Sequence, residues 1–290
     1  MAFYNVTHKN CDDGAMSSAI VKKFKPEAIV FPSTYGHEWK TLPLVEGDSV
    51  VFTDFSPEPA DAYAMYEKGI KFQILDHHIT AVNNLNKYWE TNPKEANIIR
   101  SMSILDMNRC GATITWDYFS HGKERPRILH FIEIADLWKW ELDINSQFVT
   151  QYVRVICKMG SWEAMAKLLD GFDEAAAIDA GSLLMLRLNS DVEDLTKKSD
   201  SIKLHGWNVR VCNSGHANSI SELGHALAQM SSDGVGLIYN ITGKKVKIST
   251  RGLKGTSVAR ELAEKFGGGG HNEAAGAFTD AKAFLELIVK

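Results

Sequence analysis

The residues of this chain best suited to chemistry are His8-Lys9-Asn10-Cys11-Asp12-Asp13-Gly14, Asp54, Asp76-His77-His78 and Asp136. The first three groups each follow a short apolar run, namely Phe3–Val6, Ser49–Thr53 and Phe72–Leu75. Runs of that length, rich in Val, Ile and Phe, read as strands, and open α/β sheets gather their ligands at the carboxyl ends of strands. Asp136 lies in Ile134-Ala135-Asp136-Leu137-Trp138, an acid among apolar and aromatic neighbours. Converging carboxylates repel one another strongly unless cations lie between them. A mixed Asp and His donor set suits Mn²⁺ or Mg²⁺ better than the thiolate-rich sites of structural zinc. Two such ions ~4 Å apart share and activate a water and stabilise a phosphoryl oxygen during in-line attack.

Plainer roles are open to every one of these residues taken singly. An Asp directly after a strand, such as Asp54, suits a helix cap. Asp12 or Asp13 likewise suits the start of a helix near Ala15, and His77 or His78 alone suits a hydrogen-bonded structural histidine. Asp136 has Arg127 and Lys139 as candidate ion-pair partners. Convergence favours a site, because four strand or helix ends all offer ligand chemistry.

The elements that must position these side chains follow from periodicity. Ala28–Phe31 joins the three runs above as a fourth strand, and Ala15–Phe24 and Ala60–Lys68 carry apolar residues at helical spacing. Pro57 and Pro59 stand where a helix would begin. Residues 109–120 and 126–140 read as further helices. Strand alternating with helix predicts βαβ units and a mainly parallel sheet. Ser161–Lys203 reads as helical throughout, with Ala, Leu and Met recurring at three and four positions. Strands return at Trp207–Cys212, Val235–Ile241 and Lys245–Ser249, with helices at Ser221–Gln229 and Thr256–Lys265. The boundary falls near residues 190–205. The expected fold is therefore α/β, a parallel-sheet domain with connecting helices over residues 1–195 joined to a smaller α/β domain over residues 205–290.

Composition bounds the rest. The chain has 290 residues, 44% hydrophobic and 23% charged, which excludes wholesale disorder and leaves room for two modest domains. Its net charge of −4 excludes a polycation that binds nucleic acid by bulk charge. That figure is uneven: residues 205–290 hold ten Lys and Arg against seven Asp and Glu, a balance of +3, so residues 1–204 carry −7. An acidic part suits dications and a basic part suits phosphates. No apolar run reaches the roughly 18 residues of a membrane span, and the first residues lack a signal peptide's basic and apolar regions. Four scattered cysteines without a C-x-x-C pair read as reduced thiols, not as a disulfide framework or a zinc site. A cytoplasmic location is the expectation.

At Asp76-His77-His78 the chain resembles the DHH phosphoesterase family, and the resemblance covers essentially its whole length. His8 to Gly14 resembles the first family motif, Asp54 the second, Asp76-His77-His78 the third and Asp136 the fourth. Ser249-Thr250-Arg251, followed by the run from Gly267 through Gly270 and then His271-Asn272-Glu273-Ala274-Ala275-Gly276, resembles the family's DHHA1 substrate-binding domain. A lone Asp-His-His is weak; the ordered set is specific. One departure stands in the first motif, where members often carry two acids one residue apart before a small residue. Asp13-Gly14 fits the second acid, but Cys11 occupies the place of the first, with Asp12 adjacent.

The resemblance implies roles residue by residue. His8, Asp12, Asp13, Asp54, His77 and Asp136 are the implied ligands of two divalent cations, Mn²⁺ foremost and Mg²⁺ as the alternative, with Asp54 bridging. His78 is implied beside the transferring phosphate, with Asp76 orienting His77 or His78 from behind. Gly268, Gly269 and Gly270 let backbone N–H groups approach a phosphate, to which Arg251 and His271 donate hydrogen bonds. Asn213, Asn218 and Ser219 are candidates for base or sugar contacts. The implied activity is phosphodiester hydrolysis of short oligonucleotides, linear or cyclic dinucleotides or pAp to mononucleotides. A cleft between two small domains favours short substrates, and no basic track suits a long duplex. The alternatives are an inorganic pyrophosphatase or exopolyphosphatase, which needs no provision for a base, and an inactive nucleotide-sensing module, whose one support is Cys11. Trp207 and apolar residues of the 161–190 helices suit either a homodimer contact or the core.

Overall fold

Strands Phe3–His8 (β1), Ile29–Ser33 (β2), Ser49–Thr53 (β3), Lys71–Asp76 (β4) and Ser103–Leu105 (β5) form one sheet in the order β2-β1-β3-β4-β5. All its pairings are parallel. The computed structural model describes residues 1–34, 38–157, 160–215 and 219–288. Tyr4, Asn5, Val6 and Thr7 of β1 are buried in succession, with no in-out alternation. That is the pattern of a parallel strand covered on both faces, since the crossover helices must lie over the sheet.

The covering helices are Asp12–Phe24 (α1), Pro59–Glu67 (α2), Ile79–Thr91 (α3), Pro93–Ser101 (α4) and Gly111–Ser120 (α5), followed by Arg127–Asp136 (α6), Asn145–Cys157 (α7), Trp162–Asp170 (α8) and Glu174–Lys197 (α9). Tyr4, Val6, Val50, Phe52, Phe72 and Ile74 pack on one face against Ala62, Met65, Leu85 and Ile99 of α2, α3 and α4. Val51 and Leu75 point the other way, onto Val21 of α1 and Ile114 of α5. Behind those helices a third cluster joins Met16 and Ile20 to Phe131, Val149 and Met165. Each fully buried side chain such as Phe52 or Met16 contributes roughly 1.5–3 kcal/mol by leaving water.

The chain divides into two units, Met1–Met185 and Leu186–Lys290. In the second, Asp200–Leu204 (β6), Trp207–Asn213 (β7), Val235–Thr242 (β8), Lys245–Gly252 (β9), Gly269–Gly270 (β10) and Ala274–Asp280 (β11) form a sheet in the order β10-β11-β9-β8-β7-β6. Its pairs are antiparallel except β7 with β8. Helices Ile220–Met230 (α10), Val258–Glu264 (α11) and Ala281–Ile288 (α12) accompany it. Val209, Leu237, Ile248, Leu262 and Phe284 are its core, with Trp207 packed against them. The expected parallel α/β sheet and smaller α/β unit are both present.

Three expected helical segments differ. The helix expected over 126–140 ends at Asp136, because Trp138 adopts a left-handed φ of 54° and a short 3₁₀ turn over Trp140–Leu142 follows. Ser161–Lys203 breaks into α8 and α9 around Gly171, and its last residues belong to β6. Polar Asp200–Leu204 is extended because it pairs antiparallel with β7, from Asp200 opposite Val211 to Leu204 opposite Trp207. The helix expected over Thr256–Lys265 is shorter, Val258–Glu264.

Candidate metal centre

Strand order 2-1-3-4-5 puts a topological switch point between β1 and β3, since the chain leaves β1 toward β2 and returns on its other side. Thr7 pairs with Thr53, and Thr53 with Leu75, so the next residue on each strand is His8, Asp54 and Asp76. Register alone therefore delivers these three to one level, with neighbouring strands ~4.8 Å apart. His77 and His78 follow directly and lead into α3.

Three groups of ligand atoms result among the described residues, the atoms of each lying within 4.8 Å of one another. They are Asp54 with Asp76, His77 and His78; His8 with Cys11 and Asp54; and Asp13 with His77 and Asp136. Asp54 and His77 each belong to two groups. His77 Nε2 lies 3.1 Å from Asp54 Oδ1, 3.4 Å from Asp136 Oδ2 and 3.6 Å from Asp13 Oδ2. Asp12 joins none of the groups, and its Oδ1 is buried without a hydrogen-bond partner. Arg127 pairs with Asp143 and Glu174.

Backbone geometry holds the acids in place. Asp54 has a φ of 51°, left-handed and costing about 1–2 kcal/mol outside glycine, which Asp tolerates better than most residues. Its N–H still donates to Leu75 O at 2.9 Å, so the turn out of β3 begins with its last ladder bond made. Asp13 does not cap its own helix. Its carboxylate accepts the N–H groups of Gly111 (2.6 Å) and Ala112 (2.7 Å), capping α5 across the fold. Asp76 is fully buried and accepts from Ser56 Oγ (2.5 Å), His77 N (2.8 Å) and His78 N (3.3 Å), and its Oδ1 is 2.7 Å from His78 Nδ1. The orienting partner of Asp76 is thus the His78 ring.

Two residues with no motif to mark them complete the centre. Ser56 holds Asp76, and nothing in the sequence singles it out. Gly111 begins α5, where a Cβ would stand 2.7 Å from Asp54 Cβ and 2.8 Å from Asp13 Oδ2. Glycine costs a helix about 1 kcal/mol relative to alanine, so its presence at a helix start hinted at a close approach.

Protonation follows from burial and crowding. Burial favours the neutral His77 ring, but the Asp54 hydrogen bond and the charges of Asp136, Asp13 and Asp54 outweigh it and raise the ring to about 11. His78 rises to about 9, where Asp76 above all overcomes burial. Burial would raise Asp54 and Asp76, yet the neighbouring histidines hold both below the usual carboxylate range. Asp13 is pushed well up by burial and then by Asp54 and Asp136. Asp136, its side chain 22% exposed, is raised to about 6, chiefly by burial. Burial lowers His8, and it pushes the Cys11 thiol well up together with the acids Asp54, Asp136 and Asp13.

This donor set fits divalent cations. Asp54 Oδ2 is buried without a hydrogen-bond partner, and the histidines would exchange protons for a metal. A pH dependence follows. A folded-state pKa raised to about 9 at His78 adds stability that is complete below its ordinary 6.5 and is lost as pH rises toward 9. The chelator-treated chain is therefore expected to lose melting temperature from pH 6.5 to 9, and the increase on adding Mn²⁺ to grow over the same interval. Thermal unfolding at the two pH values checks this; an Mn²⁺ increment that shrinks with pH would contradict it.

The residues expected to bind phosphate lie in the second unit. Arg251 Nη1 donates to Thr250 O (2.9 Å) and Nη2 to Ser221 Oγ (3.2 Å), while its stem lies where a Cβ on Gly224 would be, 2.5 Å from Cγ. The glycine run is largely explained by packing. A Cβ on Gly268 would stand 2.1 Å from Gly276 O, Gly268 N donates to Ala263 O, and Gly270 has a φ of 145°. Gly269 alone in the run combines open space with no positive φ. His271 is exposed, and its N–H donates to Ala274 O at 2.8 Å. Asn213 ends β7 and Ser219 precedes α10; Asn218 lies outside the described residues.

Residues 208–290 match the DHHA1 domain. Uncharacterized protein R106 of Acanthamoeba polyphaga mimivirus is 26% identical over 254 residues, covering 84% of this chain and 56% of its own length. The chain thus spans little more than half of the curated relative it matches. Among solved structures, RecJ from Thermus thermophilus in complex with Mn²⁺ superposes over 98% of this chain and 50% of its own, with a TM-score of 0.55 and 16% identity. The pGpG-specific phosphodiesterase PggH of Vibrio cholerae covers 99% of this chain and 96% of its own, with a TM-score of 0.45 and 13% identity. Among the described residues no helix is long and apolar enough to cross a membrane. Residues 208–290 thus match a DHHA1 domain, the fold resembles that of RecJ, and the acids and histidines that follow β1, β3 and β4 meet Asp136 at one switch point.

Proposed function

We propose that this chain is a two-cation phosphodiesterase that hydrolyses short nucleotides, such as oligoribonucleotides of a few residues, linear or cyclic dinucleotides or pAp, to mononucleotides. The supporting observation is that Asp54 belongs to two ligand groups at the switch point, so its two carboxylate oxygens would be available to two neighbouring cations. Mn²⁺ is the proposed ion and Mg²⁺ the alternative. Bound dications supply an activated water and offset the phosphoryl charge. The chain's own residues do the rest. Asp13, anchored to the start of α5, and Asp54, fixed in its left-handed turn, present carboxylates that cannot swing away. Asp76 accepts a hydrogen bond from His78 Nδ1–H, which leaves Nε2–H to donate to a phosphate oxygen while the ring remains protonated at neutral pH.

In the second unit Arg251 and His271 hold a substrate phosphate, Arg251 with a guanidinium already oriented by Thr250 and Ser221. Arg251→Ala is expected to raise KM about tenfold, the ~1.4 kcal/mol of one charge-assisted hydrogen bond, with bound-metal stoichiometry unchanged. A drop in metal content at unchanged KM would contradict this division of labour. A substrate panel with Mn²⁺, comprising short RNAs, pAp, cyclic and linear dinucleotides, pyrophosphate and polyphosphate, tests the whole reading. Mononucleotide release is the expected result. Turnover confined to pyrophosphate or polyphosphate would replace it with the second reading, and metal binding without turnover would favour a sensing module.

A further inference from the structure

Cys11 differs in kind from every other side chain gathered at the centre. It stands at the N-cap of α1, directly before Asp12 and Asp13, and the fold carries it to His8 and Asp54. A Cys11 Sγ, a His8 ring nitrogen and an Asp54 carboxylate oxygen all lie within 4.8 Å of one another. Asp54 Oδ2 is 3.7 Å from His8 Nδ1 and is buried without a hydrogen-bond partner. Leaving a buried acceptor unsatisfied costs about 1–3 kcal/mol, and more when it is charged, so this oxygen calls for a cation. Asp12, the adjacent acid, is no member of the group and lies near the Arg154 charge.

We infer that Cys11 is a ligand of one of the two cations, together with His8 and Asp54. This deepens the two-cation reading and rests on it. The donor sets then differ in softness. His8, Cys11 and Asp54 offer nitrogen, sulfur and oxygen, whereas Asp13, His77 and Asp136 offer only nitrogen and oxygen. Thiolate favours softer ions such as Zn²⁺, while carboxylate with imidazole accepts Mn²⁺ or Mg²⁺. A coordinated thiol is deprotonated by its ion, whose positive charge would offset the repulsion from the neighbouring acids. Thiol chemistry thereby sets which ion occupies one position, leaving the other to oxygen-preferring ions. The remaining cysteines, Cys110, Cys157 and Cys212, are buried, and none joins a ligand group among the described residues.

Cobalt reads the inference without turnover. The full chain, freed of metal by chelation, is titrated with Co²⁺ and followed by absorption and metal analysis. Two bound equivalents are expected, one bringing sulfur-to-cobalt charge-transfer absorption in the near ultraviolet. Cys11→Ser and Cys11→Asp should both lose that band. Cys11→Asp should also keep two-ion binding of Mn²⁺ while its preference for Zn²⁺ over Mn²⁺ falls on the order of tenfold or more. Two cobalt ions bound with no sulfur band, or a band that survives in either variant, would overturn thiolate ligation and leave the metal centre intact. Failure of the parent chain to bind Co²⁺ or Mn²⁺ at all would overturn the two-cation reading itself.

Discussion

Asp54→Asn is expected to lower kcat by on the order of 10³-fold or more while the metal-free chain stays folded. The magnitude follows from the several kcal/mol a bound cation contributes to transition-state charge stabilisation, at 1.36 kcal/mol per tenfold in rate. Asp54 is where that contribution is most exposed to loss, because it belongs to two ligand groups, one holding His77 and the other His8 and Cys11. Asn is the informative replacement. It tolerates the φ of 51° as Asp does, whereas Ala would add about 1–2 kcal/mol of backbone strain and confuse folding with chemistry. It relieves the crowding by which Asp54 and Asp136 push Asp13 upward, but it also removes the buried ion pair with His77, so the metal-free variant is expected to stay folded at a lowered melting temperature. Steady-state kinetics on the preferred nucleotide with Mn²⁺, bound-metal analysis and thermal unfolding measure the three quantities. A variant within tenfold of the parent would show that the reaction occurs elsewhere.

The second large effect is expected at a residue with no functional group. Gly111→Ala places a methyl 2.7 Å from Asp54 Cβ, 2.8 Å from Asp13 Oδ2 and 2.9 Å from Asp54 Cα. The conflict with Asp54 involves backbone, so it cannot be relieved by rotating a flexible side chain. Either α5 withdraws, breaking the two N–H bonds to Asp13, or the Asp54 turn moves out of register with His8 and Asp76. Overpacking of this kind costs about 1–3 kcal/mol. Misplacing ligands by about an ångström costs on the order of 10²-fold in rate. Gly122→Ala, at a glycine with no atom within 4 Å of the added methyl but a φ of 90°, serves as the contrast, since it strains the backbone without touching the centre. Differential scanning calorimetry and metal titration of both variants should show Gly111→Ala losing metal affinity and Gly122→Ala only stability. Equal metal affinity in Gly111→Ala and the parent would mean that Asp13 and Asp54 are not held as described.

Much of this architecture was legible in the chain because parallel strands buried on both faces leave continuous apolar runs. Phe3–Val6, Ser49–Thr53 and Phe72–Leu75 stand out for that reason, and the residues just after them are the ones the register brings level. Less legible were the short Ser103–Leu105 and the Ala- and Gly-rich Ala274–Asp280, which are strands because a neighbour pairs with them. Intrinsic preference says little where cross-strand pairing supplies the stability. The glycine run shows another limit. Its sequence suggests a phosphate cradle, but contact distances show Gly268 pressed against β11 and Gly270 in a conformation that excludes side chains.

Residue types and their order along the chain established which chemistry was available. Acids and histidines at strand ends, a glycine run beside Arg251 and His271, and an acidic part followed by a basic one were all present before any folding was considered. Tertiary structure decided how those residues are used. It turned Asp13 to the start of α5, gave Asp76 to His78, left Asp12 outside the ligand groups and brought Cys11 to His8 and Asp54. The physical reason is that ligand selection depends on distances of a few ångströms between residues separated by tens of positions. Sheet register and helix packing set those distances, whereas local sequence sets only which side chains are offered.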